Sequence, residues 1–277
     1  MATADLLVII SDLILWRIRY YYFPRTFLDL TPICSLIYVI LRAATDYSVW
    51  FTVTFSFDRF VAICCQNLKT KYCTVKTADM VLGITSILFC FKNVPFYFTF
   101  EPGEKIDNVP WNCEDKPNYY TEPGWVRFDW FDTVLTPFIP FTLIILLNTL
   151  TVRHILLASR VRMGLRGQNT ERNYNDPEME NRKKSVILLF TISGSFILLW
   201  LMYVMDFLYY IVAGVNPIAY NDVEYLFKKL GVMLVNLNCC TNTLIYCVTQ
   251  SKFREQFNSL MKYPFAAIIQ FVQNRNN

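Results

Sequence analysis

Histidine is almost missing: the chain of 277 residues holds one, His154. A histidine-based zinc site or a histidine-containing catalytic triad therefore has little support, and no enzymatic chemistry is expected. Cys64, Cys65, Cys90, Cys239 and Cys240 read as small buried residues rather than metal ligands. Charge is scarce as well. Asp, Glu, Lys and Arg make up 17% of the chain, against about 25% in soluble domains. There is no repeated half, and no pair of Gly- or Pro-broken helices of the kind found in inverted-repeat transporters. Low-complexity tracts are absent. The N-terminal block has neither the basic start nor the small-residue cleavage site of a secretory signal.

What is abundant is apolar surface. Hydrophobic residues make up 54% of the chain and aromatic residues 17%. They gather in six blocks, roughly 1–18, 31–63, 78–98, 128–158, 183–212 and 224–250. A helix crosses a bilayer with about 20 residues. Open strands are excluded there, because backbone polar groups in lipid must be satisfied within the segment. The expectation is an all-α, polytopic membrane bundle of six spans. Basic loops at 64–77 and 159–184 and an acidic loop at 99–127 alternate, which places the basic loops in the cytosol. Arg17, Arg19 and Arg25 oppose that rule at the outer end of the first block. The net charge of +4 is accounted for by cytosolic loops and anionic lipid, so no nucleic acid is implied.

Beyond the last block, Phe253, Phe257, Leu260 and Met261 share one helical face, with Pro264 as a stop. This predicts a short helix, residues 251–263, lying in the interface. The domain reading is a bundle with its interfacial helix over 1–263 and a cytoplasmic tail over 264–277.

Polar side chains inside the blocks carry the chemistry. Asp58 and Arg59 sit at the cytosolic end of the second block, where an arginine can snorkel to water beside a steadying carboxylate. Asp5, Ser48, Trp200, Asn238 and Asn242 each fall where a helix can turn them inward. A carboxylate, a hydroxyl and two amides at mid-depth would form an oxygen-rich cage for a small monovalent cation. The alternative is an interhelical hydrogen-bond network with no ion, each bond contributing about 1 kcal/mol. Arg42 and Asp46 are spaced to pair along one helix, yet an ionisable residue inside a span is also a functional candidate.

The motifs together resemble the rhodopsin-like (class A) G-protein-coupled receptors. MATADLL is similar to the inner half of their second helix and DRF to the Asp-Arg-Tyr switch ending their third. LLWLMY is similar to their Trp-containing sixth-helix motif. NCCTNTLIY is similar to their Asn-Pro-x-x-Tyr motif, and KFREQF to their interfacial helix. The nearest branch by this resemblance is the orphan-like one that responds to aromatic amino acids. The resemblance implies that the six blocks correspond to helices two to seven, with the first helix missing. It implies a multi-pass plasma-membrane receptor for an extracellular small molecule or peptide, acting on a heterotrimeric G protein.

The resemblance also implies site residues. Asp58, Arg59, Phe60, Asn242 and Tyr246 would form the G-protein switch. Asp5, Ser48, Trp200, Asn238 and Asn242 would hold an allosteric sodium ion, with no other cofactor. Cys34 and Cys113 would form an outer disulfide. In the ligand pocket Arg42 would take a carboxylate and Asp132 an ammonium, with Phe131, Trp200 and Tyr203 lining a ring slot. The pattern departs from the family at four places: Met202 and Thr243 stand where the sixth and seventh helices usually carry proline, Asn148 stands where a fifth-helix tyrosine is common, and the fourth helix has no tryptophan. These departures, with the missing first helix, keep open a non-signalling receptor fragment, and the charges inside spans keep open a polytopic transporter or channel.

Overall fold

In the computed structural model the described residues are 2–166, 177–215, 219–249, and Arg254, Glu255 and Ser259. The remainder of the predicted interfacial helix 251–263, and the tail, lie outside them. Six rods make the bundle, with boundaries close to the six apolar blocks. The first comprises α1 (Ala2–Val8), a π-helical stretch (Ile9–Ile18) and α2 (Arg19–Tyr22). The second is α3 (Thr31–Cys64), and α4 (Gln66–Tyr72) is a short helix at its inner end. The third is α5 (Val75–Asn93), extended by a 3-10 segment (Val94–Thr99). The fourth comprises α6 (Pro123–Thr133), a π-helical stretch (Val134–Phe138) and α7 (Ile139–Arg166). The last two are α8 (Pro177–Ala213) and α9 (Asp222–Thr249). The architecture is all-α, as expected.

Local sequence explains where the rods start. Pro32 and Pro123 occupy the first turns of α3 and α6, where a missing N–H costs nothing. Thr74 caps α5 by accepting a hydrogen bond from the Thr77 N–H at 3.2 Å. Within the rods, hydroxyls that would be stranded away from water fold back on their own helix. Thr45, Thr52, Thr54 and Ser56 of α3 each donate to the carbonyl four residues earlier, at 2.9 Å. Among the described residues four helical stretches are long and apolar enough to cross a membrane: Thr31–Cys64, Val75–Thr99, Pro123–Ala158 and Lys183–Ala213. The other two rods carry more polar side chains, such as Asp5 and Asp12 in the first and Asn236, Asn238 and Asn242 in the last, and these turn inward.

The central rod is α3. Its most apolar window is 44% buried against 17% for α5, which therefore sits at the periphery. Around α3 lie α1, α5, α7 and α8. The main apolar core joins Val49 and Val53 of α3 with Ile144 of α7, Phe196 and Trp200 of α8, and Val235 of α9. The tightest packing is between α8 and α9. A Cβ on Gly231 would stand 3.2 Å from the Tyr203 backbone nitrogen, so the close approach depends on the missing side chain.

The acidic loop folds into small strands that its Pro- and Gly-containing sequence did not announce. β1 (Phe100–Glu101) pairs with β4 (Glu114–Asp115), and β2 (Glu104–Ile106) with β3 (Val109–Trp111). Asp107 and Asn108, both with positive φ, make the two-residue turn of the inner hairpin. The loop is fastened to the bundle. Cys113 is bridged to Cys34 with a Cα–Cα distance of 6.3 Å. The Thr31 hydroxyl donates to the Asn112 carbonyl at 2.8 Å, and the Asn112 N–H to the Asp29 carbonyl at 2.7 Å. The basic residues that broke the orientation rule are largely compensated. Arg17 pairs with Asp12 at 2.9 Å and Arg19 with Asp29 at 3.2 Å.

Candidate functional site

Three groups of polar residues lie along α3, from its outer to its inner end. The outermost borders a cavity of about 310 Å³ between the rods and the acidic loop. Arg42 of α3 lines it, and its guanidinium pairs with Asp132 of α6 rather than with Asp46. It also lies over the Phe96 ring, 4.7 Å from the centroid. Asp46 is taken by Lys92 at 2.7 Å and by the Asn93 amide at 2.6 Å. Lys92 reaches Asp132 as well. Two cations and two carboxylates thus close a buried network across α3, α5 and α6. The i,i+4 pairing of Arg42 with Asp46 gives way because each finds a better-placed partner on a neighbouring rod.

Trp200 and Tyr203 line the cavity, as expected for the slot. Phe131 does not. It is 54% exposed on the outer surface of the bundle, because neighbours on a helix point about 100° apart and Asp132 holds the inward direction. Asp132 stands behind Arg42 rather than in the cavity wall. Lys92 was missed from sequence, although a lysine inside the block 78–98 was a readable signal. The cavity mouth belongs to the outer loop. There the Tyr119 hydroxyl donates to Asp129 at 3.1 Å and the Tyr120 hydroxyl to Asp115 at 3.2 Å. Burial, then the adjacent carboxylate, pushes each phenol well above the ordinary tyrosine range, so both remain hydrogen-bond donors.

The middle group centres on Asp5. Ser48 donates to one carboxylate oxygen, and the Asn242 amide donates to the other at 3.3 Å. Asn238 and Asn242 are buried, and their carbonyl oxygens have no hydrogen-bond partner among the described residues. A carboxylate, a hydroxyl and two unpartnered amide oxygens are a donor set suited to a hard cation. Trp200 is engaged in the apolar core instead, its ring 5.5 Å from that of Phe196 and 5.7 Å from that of Tyr203.

The innermost group is the Asp58–Arg59 pair, with N···O 2.6 Å and both side chains about one third exposed. The Arg59 guanidinium also lies 5.4 Å from the centre of the Phe55 ring, and its Nε is buried with no hydrogen-bond partner among the described residues. Phe60 is half-buried beside it. The side chain of Tyr246 lies outside the described residues.

A bundle with a loop-capped outer cavity, a polar mid-depth cluster and an Asp-Arg pair at the inner end of its central helix is the arrangement of a seven-transmembrane receptor. The family model "7 transmembrane receptor (rhodopsin family)" matches residues 1–246. The chain belongs to this family, whose members are multi-pass membrane receptors rather than enzymes.

The chain is similar to Neuropeptide receptor 22 of Caenorhabditis elegans, 27% identical over 271 residues, which cover 93% of this chain and 59% of the relative. It is 22% identical over 274 residues to the FMRFamide receptor of Drosophila melanogaster, covering 93% of this chain and 46% of the relative. It is 25% identical over 217 residues to Probable G-protein coupled receptor 142 of Mus musculus, covering 76% and 50%. The chain therefore spans about half the length of these relatives.

Proposed function

We propose that the chain is a plasma-membrane receptor that takes an extracellular ligand into the outer cavity and activates a heterotrimeric G protein through Arg59. The observation that carries this reading is the layout of α3. Arg42 at the cavity, Ser48 at the Asp5 cluster and Arg59 at the inner end share one rigid rod, the first and last about 25 Å apart along its axis. A ligand that prefers one arrangement of the rods around α3 shifts the population that Arg59 presents to the cytosol.

Two of the relatives are named as peptide receptors, which favours a small peptide or its end over a free aromatic amino acid. The Arg42 guanidinium is already matched by Asp132, so in this reading Arg42 is an ordered part of the pocket wall and Asp132 holds it from behind. Trp200 and Tyr203 line its interior. Asp5, Ser48, Asn238 and Asn242 are proposed to hold a sodium ion that stabilises the resting arrangement. Asn242 and Tyr246 are proposed to link that cluster to the switch.

The test is guanine-nucleotide exchange on added G protein in membranes carrying the full chain. Ligand-dependent exchange that is lost in Arg59→Ala supports the proposal. Solute or ion flux through the same membranes, with no exchange, overturns it.

A further inference from the structure

Most charges around the outer cavity are matched. Asp12 is held by Arg17 and by the Asn236 amide, Asp46 by Lys92, and Arg42 by Asp132. Asp115, Asp129 and Asp206 also line the cavity, and among the described residues no cation lies within 4.0 Å of any of them. Tyr119 and Tyr120 hydrogen-bond two of these carboxylates but supply no charge. Lys228 is the remaining cation in the wall, one against three carboxylates, and it lies over the Tyr220 ring, 5.8 Å from the centroid.

Further in, two wall residues have no hydrogen-bond partner. Trp200 is 3% exposed and its indole N–H has no acceptor among the described residues; Thr136 is 7% exposed and its hydroxyl has no partner among them either. A buried donor left unmade costs about 1–3 kcal/mol, which an acceptor on a ligand would recover. The aromatic faces of Trp16, Tyr119 and Tyr210, in the same cavity wall as these carboxylates, suit an organic cation. The volume of about 310 Å³ is at the small end of the range for ligand sites, roughly 300–1,000 Å³.

We propose that the outer cavity takes an organic cation, an ammonium or guanidinium, between Asp115, Asp129 and Asp206, with an amide oxygen of the same ligand accepting from Trp200 Nε1 and Thr136 Oγ1. This rests on the receptor reading only in putting a ligand in this cavity, and it reverses the expectation that Arg42 meets a ligand carboxylate.

The test is direct binding to the full chain in lipid nanodiscs, read by saturation-transfer NMR. The probes are Nα-acetyl-arginine amide, Nα-acetyl-lysine amide, the neutral Nα-acetyl-citrulline amide and the anionic Nα-acetyl-glutamate amide. One or both cationic probes bind saturably, and whichever binds better tells guanidinium from ammonium. The citrulline probe binds at least about tenfold more weakly, the equivalent of about 1.4 kcal/mol. Asp129→Asn and Asp115→Asn each weaken the cation by about tenfold, and Asp129→Glu restores it. Trp200→Phe weakens the arginine amide but not agmatine, which has no amide.

On the unmodified chain, cation affinity falls with added salt while citrulline affinity does not, a result that needs no variant to fold. Equal binding of the neutral or anionic probe, indifference to both Asp→Asn changes, or no saturable cation binding up to millimolar concentration overturns the proposal. Nucleotide exchange and solute flux are read separately. Cation binding accompanied by flux and no exchange leaves this inference standing and removes the receptor reading; exchange driven by an anion does the reverse.

Discussion

The Lys92 ammonium stands 2.7 Å from the Asp46 carboxylate and also reaches Asp132, so one side chain at the end of a peripheral rod ties α3 to α6. Lys92 itself is 9% exposed, and the two carboxylates 4% and 2%. Removing one partner from such a network leaves buried charge uncompensated. Lys92→Met is expected to cost about 3–5 kcal/mol of stability, seen as a lowered thermal midpoint in detergent. Lys69→Met, on the exposed face of α4, should stay within about 0.5 kcal/mol of the parent. Equal midpoints for the two variants would show that the network does not hold the rods.

Sodium should stabilise the chain through Asp5. Anything that binds only the folded state raises its melting temperature with concentration, by RT ln(1 + [L]/Kd). Melting in sodium chloride should exceed melting in choline chloride at equal ionic strength. Asp5→Asn should abolish the difference, while Ser48→Ala, which removes one ligand and spares the charge, should reduce it. A sodium effect that persists in Asp5→Asn would move the ion elsewhere.

The Asp58–Arg59 pair is about one third exposed, so its attraction is limited to about 0–1 kcal/mol. Asp58→Asn should therefore raise ligand-free nucleotide exchange by no more than about fivefold, while Arg59→Ala should remove it. Unchanged basal exchange in Asp58→Asn would mean that the pair does not restrain the switch.

The Cys34–Cys113 bridge closes a segment with a sequence separation of 79, and the loop that it fastens roofs the cavity. Opening such a bridge typically costs about 2–4 kcal/mol. Cys113→Ser should lower the melting temperature, and the double change with Cys34→Ser should lower it little further. Limited proteolysis should then cut between residues 100 and 122 sooner than in the parent. Cleavage at the parent rate would show that hydrogen bonds alone hold the loop.

At Gly231 the contact is with backbone, which cannot swing aside. Gly231→Leu should force α8 and α9 apart and lower both folded yield and melting temperature, whereas Gly231→Ala asks for a shift of a few tenths of an ångström. A leucine variant with parent stability would show that the two rods slide freely.

The six rods were readable from the chain because their lengths and apolar character are local, and the family because its motifs survive in short stretches. Lipid demands a run of apolar residues long enough to span it, and each helix satisfies its own backbone. Asp5, Ser48 and Asn242 were also legible as inward residues, since a carboxylate or amide in a lipid-facing position carries a heavy cost. Which charge meets which was not local. Arg42 and Asp46 are one helical turn apart, yet they pair with Asp132 and Lys92, 90 and 46 residues away. Phe131 turned outward because its neighbour Asp132 turned in. Rotation of each rod about its axis, and the approach of its neighbours, selected those partners. A Coulomb attraction depends on distance through space, which spacing along the chain reports only within a single helix. The surplus of carboxylate around the cavity has the same origin: it exists only after the bundle has matched Asp12 with Arg17, Asp46 with Lys92 and Arg42 with Asp132.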